Sequence, residues 1–152
     1  MTYDELLIKA DTDNLIVREK NIPGYGGRIY RNRIAIRKDI PTLKEKACVL
    51  AEELAHYYLT VGDITDQSIT ENRKQEYKAR LRAYNSQIGI VGIIRSYEAG
   101  CHNTYEMAEY LDVTEEFLKE SLDCYRKKYG EYIETDNYIV YFEPRLGILK
   151  LI

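Results

Sequence analysis

The stretch from Thr42 to Tyr58, "TLKEKACVLAEELAHYY", constrains the fold more than any other part of the chain. Thr42 and Glu45 make a Thr-x-x-Glu capping box, which marks a helix start. The run "CVLA" leads straight into "EELA", so the helix is apolar around much of its circumference and belongs at the centre of the molecule. Glu52, Glu53 and His56 nevertheless emerge from it. Carboxylates on a central helix need partners, because an unpaired buried charge is costly.

Residues four apart on a helix face the same side, so Glu52 and His56 project together and can share one ion. Glu53 is adjacent, within reach of a water beside that ion. This is the logic of His-Glu-x-x-His zinc sites, two ligands at i and i+4 with a carboxylate base between them. Here a carboxylate replaces the first imidazole. The competing reading is an ordinary amphipathic helix with solvated glutamates and a histidine near its C-terminus.

The next helix, spanning roughly Thr70 to Tyr84, supplies a third candidate. Glu76 shares a face with Ala79 and Ala83, while Ala51 and Ala55 flank Glu52 and His56. Small residues on both helices permit close approach, with Glu76 facing the Glu52/His56 pair. Glu71 is the rival, but its neighbours Lys74, Gln75 and Lys78 look like a solvated face. The plain alternative for Glu76 is an i,i+4 salt bridge to Arg80.

Around these helices the pattern predicts an α+β fold dominated by helices. "TYDELLIKA" reads as a first helix burying Leu6, Leu7 and Ala10. "NLIVREKN" and "GRIYRNRIAIRK" read as strands, the latter alternating Ile34 and Ile36 with Arg33 and Arg37. The Gly-rich Pro23–Gly27 segment leads into a strand without a following Lys-Ser/Thr, so it is a turn and not a phosphate loop. "IGIVGIIRSYEAG" reads as a buried helix ending at Gly100, with a strand as the alternative. Asn103 or Thr104 and then Thr114 cap a C-terminal helical pair, and the tail reads as closing strands around a turn, a β-hairpin. At 152 residues a single domain over 1–152 is expected.

Several function classes are disfavoured. A net charge of −3 gives no reason to expect direct nucleic acid binding or an anionic membrane as partner. The C-terminal helix pair suggests a DNA-reading helix-turn-helix, but its second helix opens with Glu115 and Glu116 and adds Glu120 and Asp123, the wrong charge beside phosphates. The first ten residues lack the pattern of a signal peptide, and no stretch approaches membrane-span length. Three scattered cysteines suit reduced thiols, so a cytoplasmic location is expected. His102, the other histidine, reads as an exposed loop residue before a helix cap.

"VLAEELAHYYLTVGDI" followed by "KQEYKARLRAY" resembles the ImmA/IrrE family of metallopeptidases, widespread in phages, prophages and integrative elements. The resemblance runs from about Ile22 onward. It implies a minimal zincin-like fold and a cytosolic metallo-endopeptidase, with a helix-turn-helix transcriptional repressor as substrate or binding partner. It places His56 at the second histidine ligand, Glu53 at the catalytic glutamate and Glu76 at the downstream glutamate ligand. Glu52 stands where the family has its first histidine. With two carboxylate ligands in place of one, a bound ion keeps no formal positive charge, so it activates water less strongly. The expected metal is Zn²⁺, with a drift toward Mn²⁺ or Fe²⁺. Tyr57 or Tyr58 is a candidate oxyanion partner, and Asp63 a candidate to orient His56. The alternative function is a degenerate relative that binds a repressor without cleaving it.

Overall fold

Capping and burial explain why the first helix forms where it does. The computed structural model describes residues 1–24, 26–60 and 69–151, with the side chains of residues 60 and 69–71 outside the description. The chain forms two compact units, Met1–Ser86 and Gln87–Ile152, and each has its own core. Helix α1 (Tyr3–Thr12) opens on a reciprocal capping box between Thr2 and Glu5. It buries Tyr3, Leu6 and Ala10, with Leu7 only half-buried. Asn14, at φ 60°, turns the chain into the first sheet, a left-handed position that asparagine tolerates.

That sheet comprises β1 (Ile16–Lys20), β2 (Gly27–Tyr30) and β3 (Arg33–Arg37), in the order β1-β3-β2. β3 runs parallel to β1 and antiparallel to β2, with Val17 and Ile29 both opposite Ile34. Ile34 and Ile36 are buried, and Arg33 and Arg37 take the other face, as the alternation predicts. β2 is an edge strand.

Helix α2 (Leu43–Thr60) starts where Thr42 Oγ1 accepts the Glu45 amide at 3.2 Å. It buries Ala47, Cys48, Leu50, Ala51, Leu54 and Ala55, and Lys46 pairs with Glu19 of β1. Helix α3 (Ile69–Gln87) buries Ala79, Ala83 and Tyr84. A cavity of about 110 Å³ lies among α1, α2 and α3, lined in part by Leu6, Ala51, Ala55, Tyr58 and Arg82. Five buried alanines, Ala47, Ala51, Ala55, Ala79 and Ala83, therefore occupy the buried faces of the two helices that carry the candidate ligands.

In the second unit, "IGIVGIIRSYEAG" is helical, not extended: α4 spans Gly89–Glu98 and buries Ile93 and Ser96. Helix α5 (Thr104–Leu111) is capped by Asn103, and α6 (Glu115–Tyr129) by Thr114. The tail forms the expected hairpin and adds one strand to it. "EYIETDNYIVYFEP" is not one strand but two, folded over a turn in which the Thr135 hydroxyl and amide both engage Tyr138. The result is a three-stranded antiparallel meander of β4 (Tyr132–Glu134), β5 (Tyr138–Tyr141) and β6 (Gly147–Lys150). Leu118, Tyr125 and Val140 are fully buried in this unit. The Tyr125 hydroxyl accepts the Gly89 amide at 3.2 Å, so its polar end is satisfied.

Among the described residues, no helix is long and apolar enough to cross a membrane. Leu118→Ala empties a site with no solvent exposure and is expected to destabilise the protein by about 2–5 kcal/mol in urea unfolding. Ile8→Ala, at a position 67% exposed, is expected to stay within about 0.5 kcal/mol of wild type.

Candidate metal centre

At 100° per residue, the buried positions of α2 fill one arc, and Glu52, His56, Val49 and Glu53 occupy a separate arc of about 100°. All four are half-buried. Burial of the alanine and leucine face therefore sends both carboxylates and the imidazole out on one side.

Helix α3 meets this side through Glu76. His56 Nε2 and Glu76 Oε2 lie 3.2 Å apart, with the side chains 29% and 45% exposed. Two ligands of one tetrahedral zinc ion, each about 2.1 Å from it, sit about 3.4 Å apart, so this pair is spaced as neighbouring ligands are. Glu76 Oε1 accepts from Arg80 Nε at 3.1 Å. The salt bridge foreseen as an alternative to ligation thus coexists with the His56 contact, one oxygen serving each.

Glu53 lies on the other flank, against the sheet. A Cβ added at Gly27 of β2 would stand 2.8 Å from Glu53 Cγ and 2.9 Å from its Oε1. Only glycine lets the strand approach so closely. Desolvation, and then the negative charges of Glu52 and Glu76, push the Glu53 carboxyl up to about 7. Three carboxylates thus crowd a partly dry site that also holds an imidazole, which is donor chemistry suited to a divalent cation. By that chemistry and the His56–Glu76 spacing, two of the residues are placed as neighbouring ligands of one ion would be. Among the described residues, however, no three His, Cys, Asp or Glu side chains are drawn together closely enough to close around one.

The remaining candidates fare differently. The Tyr58 hydroxyl donates to Asp13, and its ring lies under Lys9 and Arg82, with cation-to-centroid distances of 5.3 and 4.8 Å. Tyr58 therefore ties α2 to the end of α1 and to α3, a structural job that commits the hydroxyl proposed for an oxyanion. Tyr57 packs edge-on against it, 5.5 Å between centroids. His102 is exposed in the second unit, with Nδ1 3.2 Å from Glu106 of its own segment. Asp63 and the Glu71 side chain lie outside the described residues. Two features were not foreseen, Gly27 against Glu53 and the coexistence of the foreseen Arg80–Glu76 salt bridge with the His56 contact. A glycine at the start of a strand is the available signal for the first. For the second, the i,i+4 spacing was visible but not its coexistence with the His56 contact.

Gly27→Ala forces Val49 and Glu53 to move and is expected to cost about 1–3 kcal/mol of stability, with a smaller loss in a Glu53→Ala background. A pH dependence is also expected in chelator. Ionising Glu53 is harder in the folded than in the unfolded chain, so stability falls as pH rises from about 4.5 through about 7 and is level above. The fall is expected to be no more than about 3 kcal/mol, and Glu53→Gln should abolish it in unfolding measured across that range.

No curated protein and no solved structure matches the chain. A family model described as Peptidase_M78, IrrE N-terminal-like domain, matches residues 14–123. The match spans well over half of the sequence and contains β1 to β3, α2 and α3 with every residue of the candidate centre. The chain belongs to the IrrE N-terminal-like family of metallopeptidase-type proteins.

Proposed function

We propose that this protein is a cytoplasmic, metal-dependent endopeptidase of phage or mobile-element type that cleaves a helix-turn-helix transcriptional repressor. The single observation that carries the reading is the convergence of His56 and Glu76, from two helices, beside a half-buried Glu53 of raised pKa. Family membership supports the metallopeptidase class, and the resemblance to ImmA/IrrE proteins supports the repressor.

Glu52, His56 and Glu76 hold the ion, Zn²⁺ or a harder divalent metal. When bound, such an ion supplies Lewis acidity and lowers the pKa of water. Glu53 takes a proton from the attacking water and delivers it to the leaving amine. In the metal-free protein, burial and the neighbouring carboxylates raise this carboxyl, which favours the proton-accepting half of that task. Glu52 contributes to that tuning, since its charge beside Glu53 favours proton uptake. An extended substrate segment pairs with the edge strand β2, whose Gly27 lies against Glu53, so the added strand carries its peptide bonds past the base.

A second reading is favoured by one observation, that no three donors close around a point among the described residues. On that reading the protein binds the repressor without hydrolysis. A helix-turn-helix repressor of the phage type, incubated with Zn²⁺ or Mn²⁺ and either wild type or Glu53→Gln, separates the two. Cleavage by wild type that drops at least 100-fold in the variant supports the peptidase. Equal binding by both proteins, with no product from either, supports the binder.

A further inference from the structure

The outer face of the first sheet gathers cations that the net charge of the chain averages away. Alternate residues of a strand share a face. Ile34 and Ile36 of β3 point to the core, so Arg33 and Ala35 point away from it. The pairing register brings Arg18 and Lys20 of β1, and Arg28 and Tyr30 of β2, to that same outer side. Arg18 and Arg28 both stand opposite Ala35. A small residue between two long ones leaves a hollow of about 460 Å³, lined by these side chains and, among the described residues, by no Asp or Glu. Glu19 lies on the opposite face and pairs with Lys46, while Arg37 is held by Asp39 at 2.6 Å. Arg18, Lys20, Arg28 and Arg33 are exposed and, among the described residues, meet no carboxylate. Arg18 and Arg28 donate to the backbone carbonyls of Val17 and Pro23, which leaves their charges unbalanced. Tyr30 is 69% exposed, with the Arg31 guanidinium 5.3 Å from its ring centre.

We propose that this hollow binds single-stranded nucleic acid, with phosphates on Arg18, Lys20, Arg28 and Arg33 and a base stacked at Tyr30. Residues two apart on a strand stand about 7 Å apart, and residues two strands apart about 10 Å. The four cations therefore form a broad field suited to a polyanion, and not a clamp for one small anion. An acidic peptide would satisfy the charges and leave the ring unused. A duplex shows its bases only at their edges, and a bilayer is too flat to enter the hollow. A single strand offers both phosphates and a flat base, the pair that cations around an exposed aromatic ring accept. The face lies away from α2, whose Val49 and Glu53 meet Gly27 on the inner side, so the proposal stands apart from the metal reading.

Fluorescence anisotropy of a labelled oligothymidylate of about 12 nucleotides, titrated with the full chain, tests the assignment. Affinity is expected to fall about 20- to 50-fold between about 50 and 200 mM salt, as three or four phosphate contacts require. Arg18→Gln combined with Arg33→Gln is expected to weaken binding at least about tenfold at the lower salt and to flatten that dependence. Tyr30→Ala is expected to weaken binding at least about fivefold with the salt dependence unchanged. Tyr30→Phe, which keeps the ring, should bind near wild type. All of these side chains are exposed, so unfolding of the variants should match wild type. Lys128→Gln, in the second unit, should leave binding unaltered. Absence of binding at the lower salt, equal binding by the double arginine variant, or unchanged affinity in Tyr30→Ala overturns the proposal. Polyglutamate or anionic lipid vesicles competing as well as unlabelled oligonucleotide also overturn it, in favour of an acidic protein or a membrane surface.

Discussion

The burial of one face of α2 is the constraint on which the rest depends. Ala47, Leu50, Ala51, Leu54 and Ala55 are removed from water almost completely. This apolar burial fixes the rotation of the helix, in the way that any amphipathic helix is oriented by its core. Once the rotation is fixed, Glu52, Glu53 and His56 have only one side on which to emerge. Small side chains matter as much as apolar ones here. Ala79 and Ala83 are the buried residues of α3 beside Glu76, and that helix reaches the imidazole of α2 closely enough for a 3.2 Å contact.

The chemistry then follows from crowding like charges. Glu53 is desolvated and flanked by two other carboxylates, and its proton is correspondingly hard to remove. A family centre with histidine at position 52 would avoid part of that repulsion. Arg80, one turn along α3, pairs with Glu76 at 3.1 Å.

Much of this was legible in the sequence, for identifiable reasons. The i,i+4 spacing of Glu52 and His56 and the alanine-lined face of Glu76 are periodic features, and helix geometry converts period into direction without further information. The α+β class was legible for the same reason, because Ile34 and Ile36 alternate with arginines. The third C-terminal strand was not, because "ETDNY" carries its turn in hydrogen bonds around Thr135 that a continuous β-rich run conceals. The commitment of Tyr58 to Asp13 joins residues 45 apart, a pairing that no local pattern encodes. The close approach of Gly27 to Glu53 likewise depends on how a sheet meets a helix, which sequence spacing does not specify.

The central claim is that Glu52, His56 and Glu76 hold one divalent ion. A crystal of the protein soaked in Zn²⁺, with data collected above and below the zinc absorption edge, tests it most directly. The account predicts a single anomalous peak about 2.0–2.2 Å from His56 Nε2 and from a carboxylate oxygen of each of Glu52 and Glu76. A zinc peak held by other residues, or none at these three with the Arg80–Glu76–His56 chain intact, would contradict it.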